Sequence, residues 1–303
     1  MKEKILRFNV GLGLIILLLS FALLFLHVSF IKRWFFIIAW WSFILIIDGI
    51  NFQRTKSSLL SKSAKDFLFV AYVSVFIWLI FELFNLRLKN WSYHDLPSSL
   101  PERWFGYFLA FASVLPAMKE LSLFFGSILK KKFALFRIRV THPLLKFLFL
   151  TGTASIVLAL IWPRIFFPLT WLCFIFLLEP VNILMKNETF LKDVEKREWS
   201  RFWSWVLTGL AAGFLWEFWN FWAESHWEYS LPYLNFWRVF QMPVFGYTGF
   251  LPFALEVFAL YELLLSLRKR LQEKMILKWL AFIFLLYFYA LGFYLIDRYT
   301  LIP

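Results

Sequence analysis

The chain alternates long apolar runs with short polar segments, most of which are basic. A run of about 20 apolar residues is the length that an α-helix needs to cross a hydrocarbon core of about 30 Å. By this criterion the sequence predicts nine membrane-spanning helices, of which the fifth is the shortest. The predicted segments are 9–30, 34–51, 66–86, 104–127, 146–162, 165–185, 202–223, 245–266 and 278–297.

The composition supports a chain built for a lipid bilayer. Hydrophobic residues make up 61% of the 303 residues and aromatic residues 23%, so polar residues are too few to cover a soluble globule. We therefore predict an all-α integral membrane protein. The single cysteine excludes a disulfide within the chain, and the four histidines form no i, i+4 pair. We expect no metal site and no cofactor.

The distribution of positive charge predicts the orientation. If the N-terminus is cytoplasmic, 23 of the 32 Lys and Arg residues fall in cytoplasmic segments, which is the bias expected of a membrane protein. We predict a cytoplasmic N-terminus and an outside C-terminus in the plasma (inner) membrane of a prokaryotic cell. The net charge of +13 is then explained by basic loops that meet anionic lipid, and no nucleic-acid partner is expected.

Two stretches of the sequence match each other. FELFNLRLKNWSYHDLP at 81–97 aligns with WEFWNFWAESHWEYSLP at 216–232, and each stretch contains a W-x-Y sequence. In both copies a glutamate follows that tyrosine by 27 residues, and the alignment offset moves only from 131 to 136. The matched pairs are Asp48 with Glu179, Asn51 with Asn182, Glu82 with Glu217, Asn85 with Asn220, and Glu120 with Glu256.

This match predicts a four-helix unit that occurs twice, with an additional C-terminal helix. Because four is even, both copies have the same orientation, which makes a parallel repeat about an axis near the membrane normal. The predicted parts are 1–128 for the first unit, 129–145 for a basic cytoplasmic linker, 146–267 for the second unit and 278–297 for the last helix.

The polar residues that both copies keep are the candidate site. An ionisable group at bilayer depth costs about 2.5–3.5 kcal/mol, so such groups normally face the interior of the bundle. An Asn three residues after a carboxylate shares its helical face, where the amide can orient the carboxylate or help it to hold a ligand. The candidate catalytic residues are Glu82, Glu120, Glu217 and Glu256. The candidate ligand-binding residues are Asp48, Asn85, Glu179, Asn182, Trp216, Asn220, Trp227 and Tyr229.

Structural interpretations of these residues stand beside the functional one. The four glutamates can instead form hydrogen bonds that hold the helices together, and Asp48 and Glu179 can be solvated or cap a following turn. We expect the glutamates to line one or two related cavities under an aromatic outer segment. Glu217 and Glu256 are expected to matter more, because the second copy has the fuller aromatic lining.

The tryptophans between 216 and 227 are typical of a helix that leaves the membrane at the headgroup level. An interfacial belt is the favoured interpretation, with a stacking site as the alternative. Segment 227–247 is apolar and interrupted by Pro232 and Pro243, so we interpret it as an interfacial or re-entrant lid over the bundle.

The motif W-x-Y followed by P-x-x-x-E resembles the membrane lycopene cyclases of carotenoid synthesis. Their tandem helical units carry W-x-Y and then P-x-E-E-x-x-F-F, and the resemblance implies an enzyme acting on an isoprenoid. This chain lacks the adjacent glutamate pair, has a longer Tyr-to-Glu spacing and loses the Phe pair in its second copy. The residues that carry the resemblance are Trp91, Tyr93, Pro116, Glu120, Phe124 and Phe125, with Trp227, Tyr229, Pro252 and Glu256.

Two functional hypotheses follow from the buried carboxylates. The first is an intramembrane enzyme that acts on an apolar lipid or isoprenoid by glutamate acid–base chemistry. The second is a transporter or channel in which the same carboxylates bind protons or cations. The expected partners are membrane lipid and either an apolar small-molecule substrate or a transported ion. A pure scaffold is a third possibility, but it leaves the duplicated Glu and Asn residues unexplained.

Overall fold

The computed structural model describes residues 2–129, 135–233 and 235–302. This part of the chain is helical apart from two short β-ribbons, with 78% of the residues in helices. The α-helices are α1 (Lys2–Phe25), α2 (Ser29–Thr55), α3 (Leu59–Lys62), α4 (Ala64–Leu88), α5 (Leu100–Ile128), α6 (His142–Ile161), α7 (Pro163–Phe166), α8 (Cys173–Leu184), α9 (Phe190–Glu195), α10 (Ser200–Trp222), α11 (Tyr247–Leu271) and α12 (Met275–Tyr299).

Six of these helices are long and apolar enough to cross a membrane, as judged by length and composition over the described residues. The six spans are α2, α4, α5, α6, α11 extended back to Val244, and α12. A seventh span results if the segments Pro163–Trp171 and Cys173–Leu184, which are bent by 41° relative to each other, count as one. An all-helical chain with several candidate membrane spans is thus confirmed.

The predicted count of nine spans is not confirmed. Each predicted segment falls on a helix or on the bent pair, but α1 contributes a shorter apolar stretch, Asn9–Phe25, and α10 is not among the six. Helices suit this composition because a helix satisfies its backbone hydrogen bonds internally, which lipid cannot do.

The helices pack in two similar groups. In the first, α2 contacts α1 and α5, and α5 contacts α4. In the second, α8 contacts α6 and α11, and α11 contacts α10. The groups meet where α10 packs on α5 and α2 and where α11 packs on α4, while α12 packs mainly on α4.

Aromatic side chains fill much of the contact between the two groups. The rings of Trp40 and Trp219 lie 4.6 Å apart, and those of Trp78 and Trp216 lie 5.0 Å apart. The predicted interfacial belt is therefore wrong for Trp216, Trp219 and Trp227, which are buried. A lipid-facing and an inward-facing tryptophan give the same hydrophobic pattern, so the sequence could not separate them.

An antiparallel ribbon joins the two groups at one end of the bundle. It consists of β1 (Trp91–His94) and β2 (His226–Tyr229), with Trp91 opposite Tyr229 and Tyr93 opposite Trp227. The backbone of Tyr93 also bonds to Thr300 and Ile302. The sequence had predicted no strand here. A second small ribbon, β3 (Arg238–Val239) with β4 (Met242–Pro243), lies in the segment predicted as a lid.

Candidate functional site

A cavity of about 340 Å³ lies beside the β1–β2 ribbon, within the range of about 300–1,000 Å³ typical of ligand pockets. Residues from both helix groups line it, and we call it the tryptophan cavity. Its tryptophans are Trp78, Trp91, Trp171, Trp216 and Trp227. Met242 and Phe245 from the predicted lid segment also line it. A smaller cavity of about 80 Å³ shares Trp78, Tyr93, Trp216 and Trp227 with it.

Glu82 on α4 lies directly behind the wall of the tryptophan cavity. Its Oε1 accepts hydrogen bonds from Trp78 Nε1 at 2.9 Å, from Trp91 Nε1 at 3.1 Å and from the Tyr93 hydroxyl at 2.5 Å. All three donor side chains line the cavity. The Oε2 atom is buried and has no partner among the described residues.

Glu217 on α10 has a similar arrangement in the second group. The Tyr229 hydroxyl donates to its Oε1 at 2.8 Å, and Oε2 is again buried without a partner among the described residues. Tyr229 lines the tryptophan cavity. Both carboxyl groups are thus one hydrogen bond away from a tyrosine that lines the same cavity.

The two tyrosines remain protonated donors. Burial raises the pKa of the Tyr93 and Tyr229 hydroxyls well above the ordinary value, and the neighbouring Glu82 and Glu217 carboxyl groups raise it further. Each phenol hydroxyl donates a hydrogen bond to a carboxyl oxygen, and the phenol oxygen retains lone pairs that can accept another hydrogen bond.

The amides of Asn85 and Asn220 do not contact the carboxylates that precede them by three residues. Asn85 Nδ2 donates to Trp91 O at 2.8 Å, and its Oδ1 accepts from Asn90 N and Trp91 N. Asn220 Nδ2 donates to Trp227 O at 2.9 Å, and its Oδ1 accepts from Trp227 N. Both amides fix the start of a ribbon strand and so place the adjacent tryptophan.

Glu120 lies in a different part of the molecule. Asn51 Nδ2 donates to its Oε2 at 2.5 Å, Leu59 N donates to its Oε1 at 2.7 Å, and the Asp48 carboxyl group is within hydrogen-bonding reach. Asp48 Oδ1 accepts from Leu60 N at 2.9 Å. This buried cluster connects α2 and α5 to the start of α3 and does not line either cavity.

Glu256, Glu179 and Asn182 also bind backbone groups. Phe174 N, in the first turn of α8, donates to Glu256 Oε1 at 2.7 Å. The backbone nitrogens of Phe190 and Leu191 donate to the Glu179 carboxylate. Asn182 Nδ2 donates to Ala259 O at 2.9 Å. The two glutamates thus satisfy backbone N–H groups in the first turns of α8 and α9, where intrahelical partners are missing, whereas Asn182 ties α8 to the middle of α11.

Sequence reasoning missed Asn90, which also lines the tryptophan cavity. The comparison of the two copies could not reveal it, because the residue aligned with Asn90 is His226. It also missed the role of Tyr93 and Trp78 as donors to Glu82. The repeated W-x-Y was visible, but the fold that brings it back onto Glu82 was not.

Comparison with known proteins provides no further guide, since no family model, no curated protein and no solved structure matches the chain. The similarity to lycopene cyclases therefore stays a similarity of short motifs. Among the described residues, no group of three or more His, Cys, Asp or Glu side chains is arranged to hold a metal ion. The site must be interpreted from its own geometry.

Proposed function

We propose that this protein is an intramembrane enzyme that binds an apolar lipid, such as an isoprenoid, in the tryptophan cavity and acts on it by acid–base chemistry. The observation that carries the proposal is that Glu82 and Glu217 both reach this one cavity through tyrosine hydroxyls. The catalytic unit is then a carboxyl group with its tyrosine, present once on each side of the cavity.

The environment of the two carboxyl groups favours a neutral acid. Each has one buried oxygen without a partner among the described residues, and a bare anionic oxygen in apolar surroundings is costly. A proton on the carboxyl group removes that cost. In the proposed step the tyrosine hydroxyl turns and gives its proton to an alkene or a carbonyl group in the cavity, while the carboxyl group passes its own proton to the phenol oxygen. The carboxylate regains a proton when the cationic intermediate loses one.

The walls of the cavity suit a substrate that gains positive charge. Five tryptophans line it, and a cation over an aromatic face is stabilised by about 0.5–2 kcal/mol. Apolar walls of this kind bind water weakly, and water would otherwise trap a reactive intermediate.

Transport is the alternative that the structure supports less well. An ion path needs polar or charged groups along its length, and none of the described residues that line the tryptophan cavity is charged. The buried Asp48 and Glu120 carboxyl groups are a possible proton site, but neither lines a cavity described above. The aromatic contact between the helix groups favours the enzyme.

The proposal includes a parallel repeat of two four-helix units plus α12. Its support is the ribbon, where the W-x-Y residues of the two stretches pair reciprocally, Trp91 with Tyr229 and Tyr93 with Trp227. That register is the one that a local twofold axis produces. The similar packing of α1, α2, α5 and α4 and of α6, α8, α11 and α10 supports the same symmetry.

The proposed setting is the plasma membrane of a prokaryotic cell, with the N-terminus in the cytoplasm and the C-terminus outside. The charge bias supports this orientation. Contacts such as Arg268 with Asp66 and Val140 N with Glu195 support the assignment of these segments to one and the same side of the membrane. Membrane lipid is then both the surroundings and the source of substrate.

The test is to identify lipids that co-purify with the protein and to follow their conversion in Glu82→Gln and Glu217→Gln variants. Glutamine keeps the shape and an acceptor oxygen but cannot supply the proton. We expect both variants to fold, to retain lipid and to lose conversion by about 100-fold or more. Mass spectrometry of bound and released lipid measures both quantities.

The matched control is Glu224→Gln. Glu224 lies just beyond α10, is partly exposed and pairs with Lys32 at 3.7 Å. Its substitution should leave conversion unchanged. Normal conversion in well-folded Glu82→Gln and Glu217→Gln proteins would refute the proposed chemistry and leave a role in helix packing.

A further inference from the structure

Asn90 is a buried polar residue whose side chain has no partner. It lies between α4 and β1 and is 2% exposed. Its backbone is held at both ends, because its N–H donates to Asn85 Oδ1 at 2.8 Å and its carbonyl accepts from Ser230 N at 2.8 Å. Both atoms of its amide, Nδ2 and Oδ1, are buried without a hydrogen-bond partner among the described residues.

Asn90 lines the tryptophan cavity, and its amide lies buried in the wall of that cavity. A buried amide without partners is unfavourable, and native proteins seldom keep one unless a ligand or an ordered water satisfies it. The backbone contacts fix the position of Asn90, so its amide is a preformed binding group and not a side chain that turns away to solvent.

The hydroxyl groups of the cavity wall are already engaged. The hydroxyl of Tyr233 donates to Ile165 O at 2.7 Å, and that of Thr248 donates to Phe245 O at 2.6 Å. Tyr93 and Tyr229 donate to the two glutamates. Among the described lining residues, Asn90 is thus the polar group that offers both a free donor and a free acceptor.

We propose that Asn90 binds the polar end of the lipid in the cavity, and that this end is an uncharged group that both donates and accepts a hydrogen bond, an alcohol being the simplest. This inference rests on the proposed function, since it assumes that the cavity holds a lipid. The amide presents Nδ2 as donor and Oδ1 as acceptor side by side, which a hydroxyl group can match with one donor and its lone pairs.

The described lining residues carry no charge, and this further limits the class of lipid that the cavity can bind. A phosphate, diphosphate or carboxylate would lose its hydration on entry and would find no cation in this wall to replace it. The substrate class is therefore a lipid alcohol and not a phosphorylated lipid. Asn90 also immediately precedes Trp91, a donor to Glu82, so the bound alcohol lies near the proposed acid.

The test compares three probes that share one apolar chain: farnesol, farnesene and farnesyl diphosphate. Binding to the purified full chain in detergent is followed by quenching of tryptophan fluorescence, which the five cavity tryptophans should dominate. The quantity of interest is the ratio of farnesol to farnesene affinity, because partition of the shared chain into detergent largely cancels. We expect Asn90→Leu to lower this ratio about tenfold relative to the wild type.

Two further variants make the result specific. Asn90→Ala removes the amide without adding bulk and should lower the ratio similarly, which covers the case in which Asn90→Leu does not fold. Asn187→Leu removes an amide that bonds to Asn182 and Glu262, outside the tryptophan cavity, and should leave the ratio unchanged. Thermal unfolding of each variant identifies those that fold.

The outcomes separate this inference from the proposed function. If the wild type binds farnesol and farnesene but both Asn90 variants keep the wild-type ratio, then water satisfies the amide and the inference is overturned, while the proposed function stands. If the wild type binds farnesyl diphosphate more tightly than farnesol, the proposal that the polar end of the lipid is uncharged is overturned. If neither farnesol nor farnesene binds to the wild type, the lipid-binding function fails as well.

Discussion

At the residue scale, the two tyrosine–glutamate pairs share their chemistry but differ in the number of hydrogen bonds that hold the carboxyl group. Glu82 Oε1 accepts from two indoles as well as from Tyr93, whereas Glu217 Oε1 accepts from Tyr229 and has one indole, that of Trp227, within hydrogen-bonding reach of its carboxyl group. Removing one hydroxyl should therefore have unequal effects on the two halves of the site. The indoles of Trp78 and Trp91 would still hold Glu82 in place.

The corresponding prediction concerns Tyr93→Phe and Tyr229→Phe. We expect Tyr229→Phe to lower the free energy of unfolding by about 1–3 kcal/mol, because it leaves a buried carboxyl group without that donor. Tyr93→Phe should lower the free energy of unfolding by a smaller amount. Thermal or denaturant unfolding in detergent measures the difference, with the exposed Tyr299→Phe as control. A larger loss in Tyr93→Phe would contradict this account of the two pairs.

A second prediction separates two roles for Glu256. Its Oε1 accepts from Phe174 N at the start of α8, so the side chain should stabilise the bent helix pair. Glu256→Gln keeps the acceptor and should retain most stability and lipid conversion. Glu256→Ala removes this acceptor and should lower the free energy of unfolding by about 1–3 kcal/mol. If Glu256→Gln folds normally but abolishes conversion, Glu256 is a proton donor and not a helix cap.

The sequence alone identifies many of the residues of the site, but it does not predict the contacts that they make. Glu82 and Glu217 stand out because a carboxylate is rare in an apolar run and each recurs at the matched position. The partners of Asn85 and Asn220 could not be predicted, because an i, i+3 spacing places two groups on one face without excluding a closer backbone carbonyl. Asn90 gave no signal, since it sits in a polar turn and differs between the copies.

At the element scale, close helix contacts depend on small residues in α10. A Cβ atom at Gly209 would collide with the carbonyl oxygen of Phe250 on α11, and one at Gly213 would collide with the Phe250 ring. These glycines allow the two backbones to approach closely, as is common between helices in membranes. Without that approach, Pro252 and Phe253 could not form their part of the tryptophan cavity wall.

We accordingly predict opposite effects for two glycine-to-alanine substitutions. Gly209→Ala should lower the free energy of unfolding by at least about 1–3 kcal/mol through overpacking against backbone. Gly126→Ala, on α5, meets open space and should raise stability by up to about 1 kcal/mol through its better helix propensity. Unfolding curves in the same detergent compare the two. Equal behaviour of the two variants would contradict the observed contact.

The helices were predictable because the length of an apolar run is a strong signal, whereas the ribbon was not. The strands β1 and β2 have four residues each, and they face partners in the other half of the chain. Local propensity is weak over so few residues. The break between Pro163–Trp171 and Cys173–Leu184 was also hidden, since the whole stretch is apolar.

At the scale of the whole molecule, the charge distribution predicts which loops face the cytoplasm. Reporter fusions after residues 62 and 196 should show a cytoplasmic location, and a fusion after Pro232 should show an outside location, because the first two follow lysine-rich segments. Each site is tested with two reporters, one active only in the cytoplasm and one active only outside, so that one signal confirms the other. An outside location for segment 186–201 would reverse the proposed orientation.

The ribbon described above also constrains how the protein is made. Strand β1 emerges from the ribosome long before β2, and the backbone of Tyr93 completes its hydrogen bonds with Thr300 and Ile302, which follow much later in the chain. Contacts so distant in sequence form late, because a long loop must close first. The first helix group must therefore wait in the membrane, with Glu82 not yet fully enclosed, until residues 300 and 302 have been synthesised. Chains that stall before residue 300 are then natural substrates for membrane proteases and chaperones, since they leave this end of the bundle unpaired.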